Sequence, residues 1–109
     1  MSEANEFEAI YEYVRTIPAG RVTSYGEVGA AVGQGARTVG WAMGVCPKDI
    51  PWQRVVGADG YLRIARRDPH LKALQKSLLE AEGVTVSEGG FVERRYFWNG
   101  ETEPQGQLF

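Results

Sequence analysis

Covalent catalysis by this chain would need a nucleophile with a base beside it, and the sequence offers one candidate of each. Cys46 is the only thiol and His70 the only imidazole. Cys46 follows a helical pattern, His70 opens another inside a basic stretch, and nothing in the sequence pairs them. One cysteine with one histidine makes no metal-ligand cluster, and a lone cysteine excludes an internal disulfide. Gly33-Gln34-Gly35 lacks the third glycine of a dinucleotide-binding turn and follows no strong strand. The residues left are of another kind: Ser24-Tyr25-Gly26-Glu27-Val28, Gly35-Ala36-Arg37-Thr38-Val39-Gly40-Trp41-Ala42-Met43 and Pro51-Trp52-Gln53-Arg54-Val55. Rings and guanidinium groups without a nucleophile suit binding, so the residues alone read as a binder that needs no metal or cofactor.

Charge is consistent with a nucleic-acid partner despite a formal net charge of −2. Between Arg15 and Lys72 stand nine basic and four acidic residues, against three basic and ten acidic in the remainder. Such segregation makes a basic footprint on an otherwise acidic protein, although a solvated basic face would read the same. The 109 residues suffice for one domain with a single modest core. No apolar run approaches a membrane span, and the acidic start Met1-Ser2-Glu3-Ala4-Asn5 lacks the apolar region of a secretory signal. A cytoplasmic monomer is therefore expected, associated with the nucleoid when bound to DNA.

These residues must be placed by short helices. Phe7, Ile10, Tyr11, Val14 and Ile17 follow helical spacing, which predicts a helix over Asn5–Ile17 capped by Asn5 and ended by Pro18 and Gly20. Ser24-x-x-Glu27 is a capping box that opens a second helix to about Val32. After a Gly33-Gln34-Gly35 turn, Ala36–Gly44 reads as a third, completing a helix-turn-helix pattern. Its small residues Ala36, Gly40, Ala42 and Gly44 would let a second helix or a nucleic-acid groove come close. Arg37 stands in its first turn, where the helix dipole disfavours a cation unless something negative lies opposite. Val55-Val56 and Tyr61–Ile64 read as a hairpin around Gly57–Gly60. Asp68 and Pro69 begin a fourth helix, with Leu71, Leu74, Leu78 and Leu79 inward and Gly83 at its end. Val84–Val86 reads as a short strand, Gly89-Gly90 as a turn, and Arg94–Asn99 as an aromatic-basic segment. The expected fold is mostly α with a short β-hairpin.

Pro51-Trp52-Gln53-Arg54-Val55 resembles the active-site Pro-Cys-His-Arg-Val of the O6-alkylguanine-DNA alkyltransferases. It is more similar still to the alkyltransferase-like proteins, non-catalytic relatives that carry tryptophan at the cysteine position. Thr23–Glu27 and Ala36–Met43 support the likeness, which runs from about Phe7 to Gly83. Arg95-Tyr96-x-Trp98-Asn99 resembles the end of bacterial members. The resemblance implies a single alkyltransferase C-terminal-like domain over residues 1–109, with its core at about 7–83 and a C-terminal segment at 84–109.

It also implies roles. The helix carrying Ala36, Arg37 and Gly40 would enter the minor groove, with Arg37 filling the stack that a guanine has left. Tyr25 would press on the phosphate 3′ to that nucleotide and lie near the flipped base. Trp52 would line the lesion pocket, the Val55 carbonyl would accept from the guanine amino group, and Glu82 would be a structural remnant. An arginine after the hairpin, Arg67 with Arg66 as its rival, would lie over the modified base. Here Gln53 replaces the usual histidine and Cys46 the usual asparagine. The implied function is binding of O6-alkylguanine in double-stranded DNA by base flipping without alkyl transfer, marking the lesion for nucleotide excision repair proteins. The alternatives are an alkyltransferase using Cys46 and a helix-turn-helix transcriptional regulator. For Trp52, Tyr25 and Arg37 the plain alternatives are a core ring, a packing residue and a solvated charge.

Overall fold

The computed structural model describes residues 2–45, 47, 49–66 and 69–100. Its elements are α1 (Ser2–Arg15), β1 (Thr23–Ser24), α2 (Tyr25–Val32), α3 (Ala36–Gly44), β2 (Val55–Val56) and α4 (Pro69–Ala81). Single 3-10 turns occupy Trp52–Arg54, Arg63–Arg66 and Arg94–Tyr96. The fold is mostly helical with one short two-stranded sheet, and among the described residues no helix is long and apolar enough to cross a membrane.

Helix α1 begins at Ser2, so Asn5 lies inside it instead of capping it. It stops at Arg15, where the chain tightens through Thr16 N–H to Tyr13 O (3.0 Å) and Ile17 N–H to Val14 O (3.1 Å). Ile10, Val14 and Ile17 are fully buried with Val28, Val39 and Ala42. Burying an aliphatic side chain of this size contributes roughly 1.5–3 kcal/mol. The exposed Arg15–Asp49 pair (3.2 Å) adds about 1 kcal/mol at most, so apolar contact seats α1 on α2 and α3. The buried Tyr11 hydroxyl donates to Ala42 O at 3.0 Å and fixes the register of α1 against α3.

The expected hairpin does not form. Val55 and Val56 pair in parallel with Thr23 and Ser24, and Tyr61 bridges antiparallel to Phe91. Residues 57–61 do turn, through Gly60 N–H to Gly57 O (2.8 Å) and Gly57 N–H to Tyr61 O (2.9 Å). The returning arm then coils into the Arg63–Arg66 turn, because more distant segments supply the strand partners. The sheet divides two cores. Successive strand side chains point to opposite faces, so Val55 joins the core under α1–α3 while Val56 joins Val22, Leu62, Leu79, Val84, Val86 and Val92.

Helix α4 also departs from expectation. Leu79 is buried as predicted, but Leu74 is 46% exposed and the polar Gln75 is 1% exposed. The amide of Gln75 donates to the carbonyls of Gln53 and Val55, a demand that leucine cannot meet. Asp68, the expected cap of this helix, lies outside the described residues. Beyond α4 the chain returns through a Val86–Val92 bridge around Gly89-Gly90 and passes beside β1. There Phe97 bridges Val22, and Trp98 N–H donates to Val22 O at 2.7 Å.

Candidate nucleic-acid interface

Ser24 accepts the Glu27 N–H at 3.0 Å, so α2 starts with Tyr25 as its first residue. At the other end Gly33 adopts φ +77, a left-handed conformation that a side chain disfavours, and Gln34 N–H bonds Gly29 O at 2.8 Å. This tight reversal sets α3 beside α2. Val39, Ala42 and Met43 anchor α3 inward, which leaves Ala36, Arg37, Trp41, Gly44 and Val45 exposed. Among the described residues Arg37 has neither a hydrogen bond nor an ion pair, and a Cβ at Gly40 would meet nothing within 4 Å. The backbone of α3 can therefore be approached closely at Gly40, next to an unneutralised cation.

Tyr25, Ala36, Arg37 and Gly40 line one cavity of about 750 Å³, together with Trp41, Gly57, Arg63 and Ile64. Trp52 lines a neighbouring cavity of about 230 Å³ with Met43, Gly44, Pro47, Ile64, Leu71 and Leu74. Ile64, 7% exposed, belongs to both walls. Trp52 is half-buried, packed on the α1–α3 core on one side and open to the smaller cavity on the other.

The turn that carries Trp52 is clamped from behind. Arg54 donates to Glu82 from Nη2 (2.9 Å) and Nε (3.1 Å), and from Nη1 to Ile17 O at 2.8 Å. Glu82 also accepts from Gly20 N–H at 3.0 Å and from Gln53 Nε2 at 2.8 Å. Burial pushes the Glu82 carboxyl up, but the hydrogen bonds from Arg54, Gly20 and Gln53 and the Arg54 charge outweigh it and hold the group below its ordinary 4.5. Gln75 Nε2 donates to Gln53 O (3.0 Å) and Val55 O (3.1 Å). The side chain of Val55 is buried and its carbonyl accepts from Gln75 in a buried bond.

The residues singled out from sequence thus fall into separate places. Tyr25, Ala36, Arg37 and Gly40 share the larger cavity, Trp52 occupies the smaller, and Val55 lines neither. Arg67 and Cys46 lie outside the described residues. Sequence reasoning missed Trp41, Gly57, Arg63 and Ile64. The acid–base spacing of Asp59 and Arg63 was the one available signal, and the assignment of Arg63 to a strand hid it.

A family model described as the DNA-binding domain of 6-O-methylguanine DNA methyltransferase matches residues 5–84. The chain belongs to this family. Within the methyltransferase DNA-binding-domain family it is 39% identical over 94 residues to a DNA base-flipping protein of Vibrio parahaemolyticus, covering 82% of this chain and 91% of that one. It is 34% identical over 102 residues to alkyltransferase-like protein 1 of Schizosaccharomyces pombe, covering 84% and 93% of the two chains. Among solved structures it is similar to S. pombe Atl1 in complex with damaged DNA containing O6-carboxymethylguanine. That likeness has a TM-score of 0.74 at 34% identity, over 91% of this chain and 97% of that one. A Mycobacterium tuberculosis OGT in complex with DNA is a more partial likeness, with a TM-score of 0.58 at 34% identity over 71% of this chain and 48% of that one.

Proposed function

We propose that this protein binds O6-alkylguanine in double-stranded DNA from the minor groove, with the damaged nucleotide rotated out of the stack, and holds it without transferring the alkyl group. The observation that carries the reading is the cavity shared by Tyr25, Arg37 and the open backbone of Gly40, which has Ile64 in common with the lining of the Trp52 cavity. A helix with an arginine unpaired among the described residues, beside a bare glycine, suits insertion into a groove, where the guanidinium can fill the space a base has left. Extruding a base costs a few kcal/mol, less when alkylation has weakened its pairing, so damage lowers its own barrier to capture.

Two features support holding over repair. The indole of Trp52 has no nucleophilic atom at the position where the catalytic relatives carry a thiol. Glu82, fully engaged by Arg54, Gln53 and Gly20, is a structural anion and not an available base. A lesion held without repair must be removed by another system, and on this reading nucleotide excision repair proteins would receive it.

Binding of matched duplexes with and without O6-methylguanine tests the reading, together with mass spectrometry of the protein afterwards. Preference for the lesion duplex at unchanged protein mass is expected, with that preference lost in Arg37→Ala. A methyl adduct on Cys46, or equal affinity for both duplexes, would overturn it.

A further inference from the structure

Arg63 lines the same cavity as Tyr25 and Arg37, and three features hold it there. Its side chain lies across the bare backbone of Gly57, where an added Cβ would run into Arg63 Nε and Asp59 Oδ1. Its Nη2 donates to Asp59 Oδ2 at 3.3 Å, with both side chains substantially exposed. The turn presenting this pair is braced on all sides. Tyr61 N–H donates to Asp59 Oδ1 (3.1 Å), Val92 N–H to Gly60 O (2.9 Å) and Arg94 Nη1 to Ala58 O (3.3 Å). An ion pair this exposed adds little to stability, so folding does not account for a cation kept on the wall of a cavity.

We propose that Arg63 is a phosphodiester-binding residue of the DNA interface, and that Asp59 is an internal anion that holds it in position until a phosphate displaces the carboxylate. This rests on the DNA-binding function proposed above. A guanidinium presents a planar fork of donors that fits carboxylate and phosphate oxygens alike, so the exchange keeps the geometry and swaps the anion. Gly57 is the residue that permits it, because any side chain there would push Arg63 off its track. A phosphate contact carries no base information, so Arg63 strengthens binding to damaged and undamaged duplexes alike.

The test is binding measured across a salt series, with lesion and undamaged duplexes of one sequence, for the wild type, Arg63→Gln, Arg63→Lys and Asp59→Asn. Losing one phosphate contact lowers the slope of log affinity against log salt by about 0.9. Arg63→Gln is expected to show that drop with a roughly tenfold loss of affinity, equal on both duplexes. Arg63→Lys keeps the slope, and Asp59→Asn, which frees the guanidinium, raises affinity for both. An unchanged slope in Arg63→Gln, a loss confined to the lesion duplex, or weaker binding by Asp59→Asn would overturn the assignment. A wild type that binds both duplexes equally would sink the proposed function. A wild type that prefers the lesion while Arg63→Gln keeps its slope would sink the role of Arg63 alone.

Discussion

Arg54 grips Glu82 with two prongs, Nη2 on one carboxylate oxygen at 2.9 Å and Nε shared between both at 3.1 Å, and so ties the turn carrying Trp52 to the segment after α4. Both side chains are largely buried, at 17% and 13% exposed. Because the Glu82 carboxyl is held below its ordinary 4.5, the folded state favours its ionised form. Its contribution to stability is therefore complete above that ordinary value and fades as pH falls through the lower folded one. Denaturant midpoints should drop below pH 4.5, and Glu82→Gln should be destabilised by about 3 kcal/mol at neutral pH with a flatter acid limb.

Gln75 holds the carbonyls of Gln53 and Val55 together, flanking the arginine of that pair. Gln75→Leu would strand both acceptors, at about 1–3 kcal/mol for each that stays buried. Part of the loss is offset, because the Gln75 amide oxygen, buried and without a partner among the described residues, no longer has to be accommodated. The net expectation is a destabilisation of about 2 kcal/mol, read from a shifted urea midpoint at unchanged slope.

Gly40 separates stability from binding. Its added methyl would meet nothing, so Gly40→Ala should stabilise the helix by up to about 1 kcal/mol. The same methyl would stand where a groove wall must approach. A higher melting temperature with weaker binding to a lesion duplex is expected, and unchanged binding would show that DNA does not come near α3 there.

Trp41, 54% exposed on the outer face of α3, has no role in the core. Trp41→Ala should alter stability by no more than about 0.5 kcal/mol. If its ring lies against the nucleic acid, as its place in the Arg37 cavity suggests, affinity should fall at least about fivefold. Calorimetry and fluorescence-anisotropy titration of the one variant measure both.

Local signals were legible in the chain where local chemistry decides. Ser24 capped α2 as its hydroxyl required, Gly33 turned the chain, and α3 ran from Ala36 to Gly44 between glycine-marked ends. The errors lie where distant residues decide. Tyr61 found its bridge at Phe91, thirty positions along the chain, so the hairpin dissolved into a parallel pair and a 3-10 turn. On α4 the leucine pattern allowed Leu74 inward, but the carbonyls of Gln53 and Val55, distant in sequence, selected Gln75. The site was legible in its motifs and not in its volume. Tyr25 and Arg37 sit on neighbouring helices, while the opposite wall comes from Gly57, Arg63 and Ile64, which carry no motif.

One aliphatic side chain, that of Ile64, is common to the walls of both cavities. A buried β-branched side chain has little rotamer freedom, so Ile64 is a fixed boundary to each volume. Replacing it by valine or phenylalanine would therefore change both volumes together, and neither can be reshaped at residue 64 without the other.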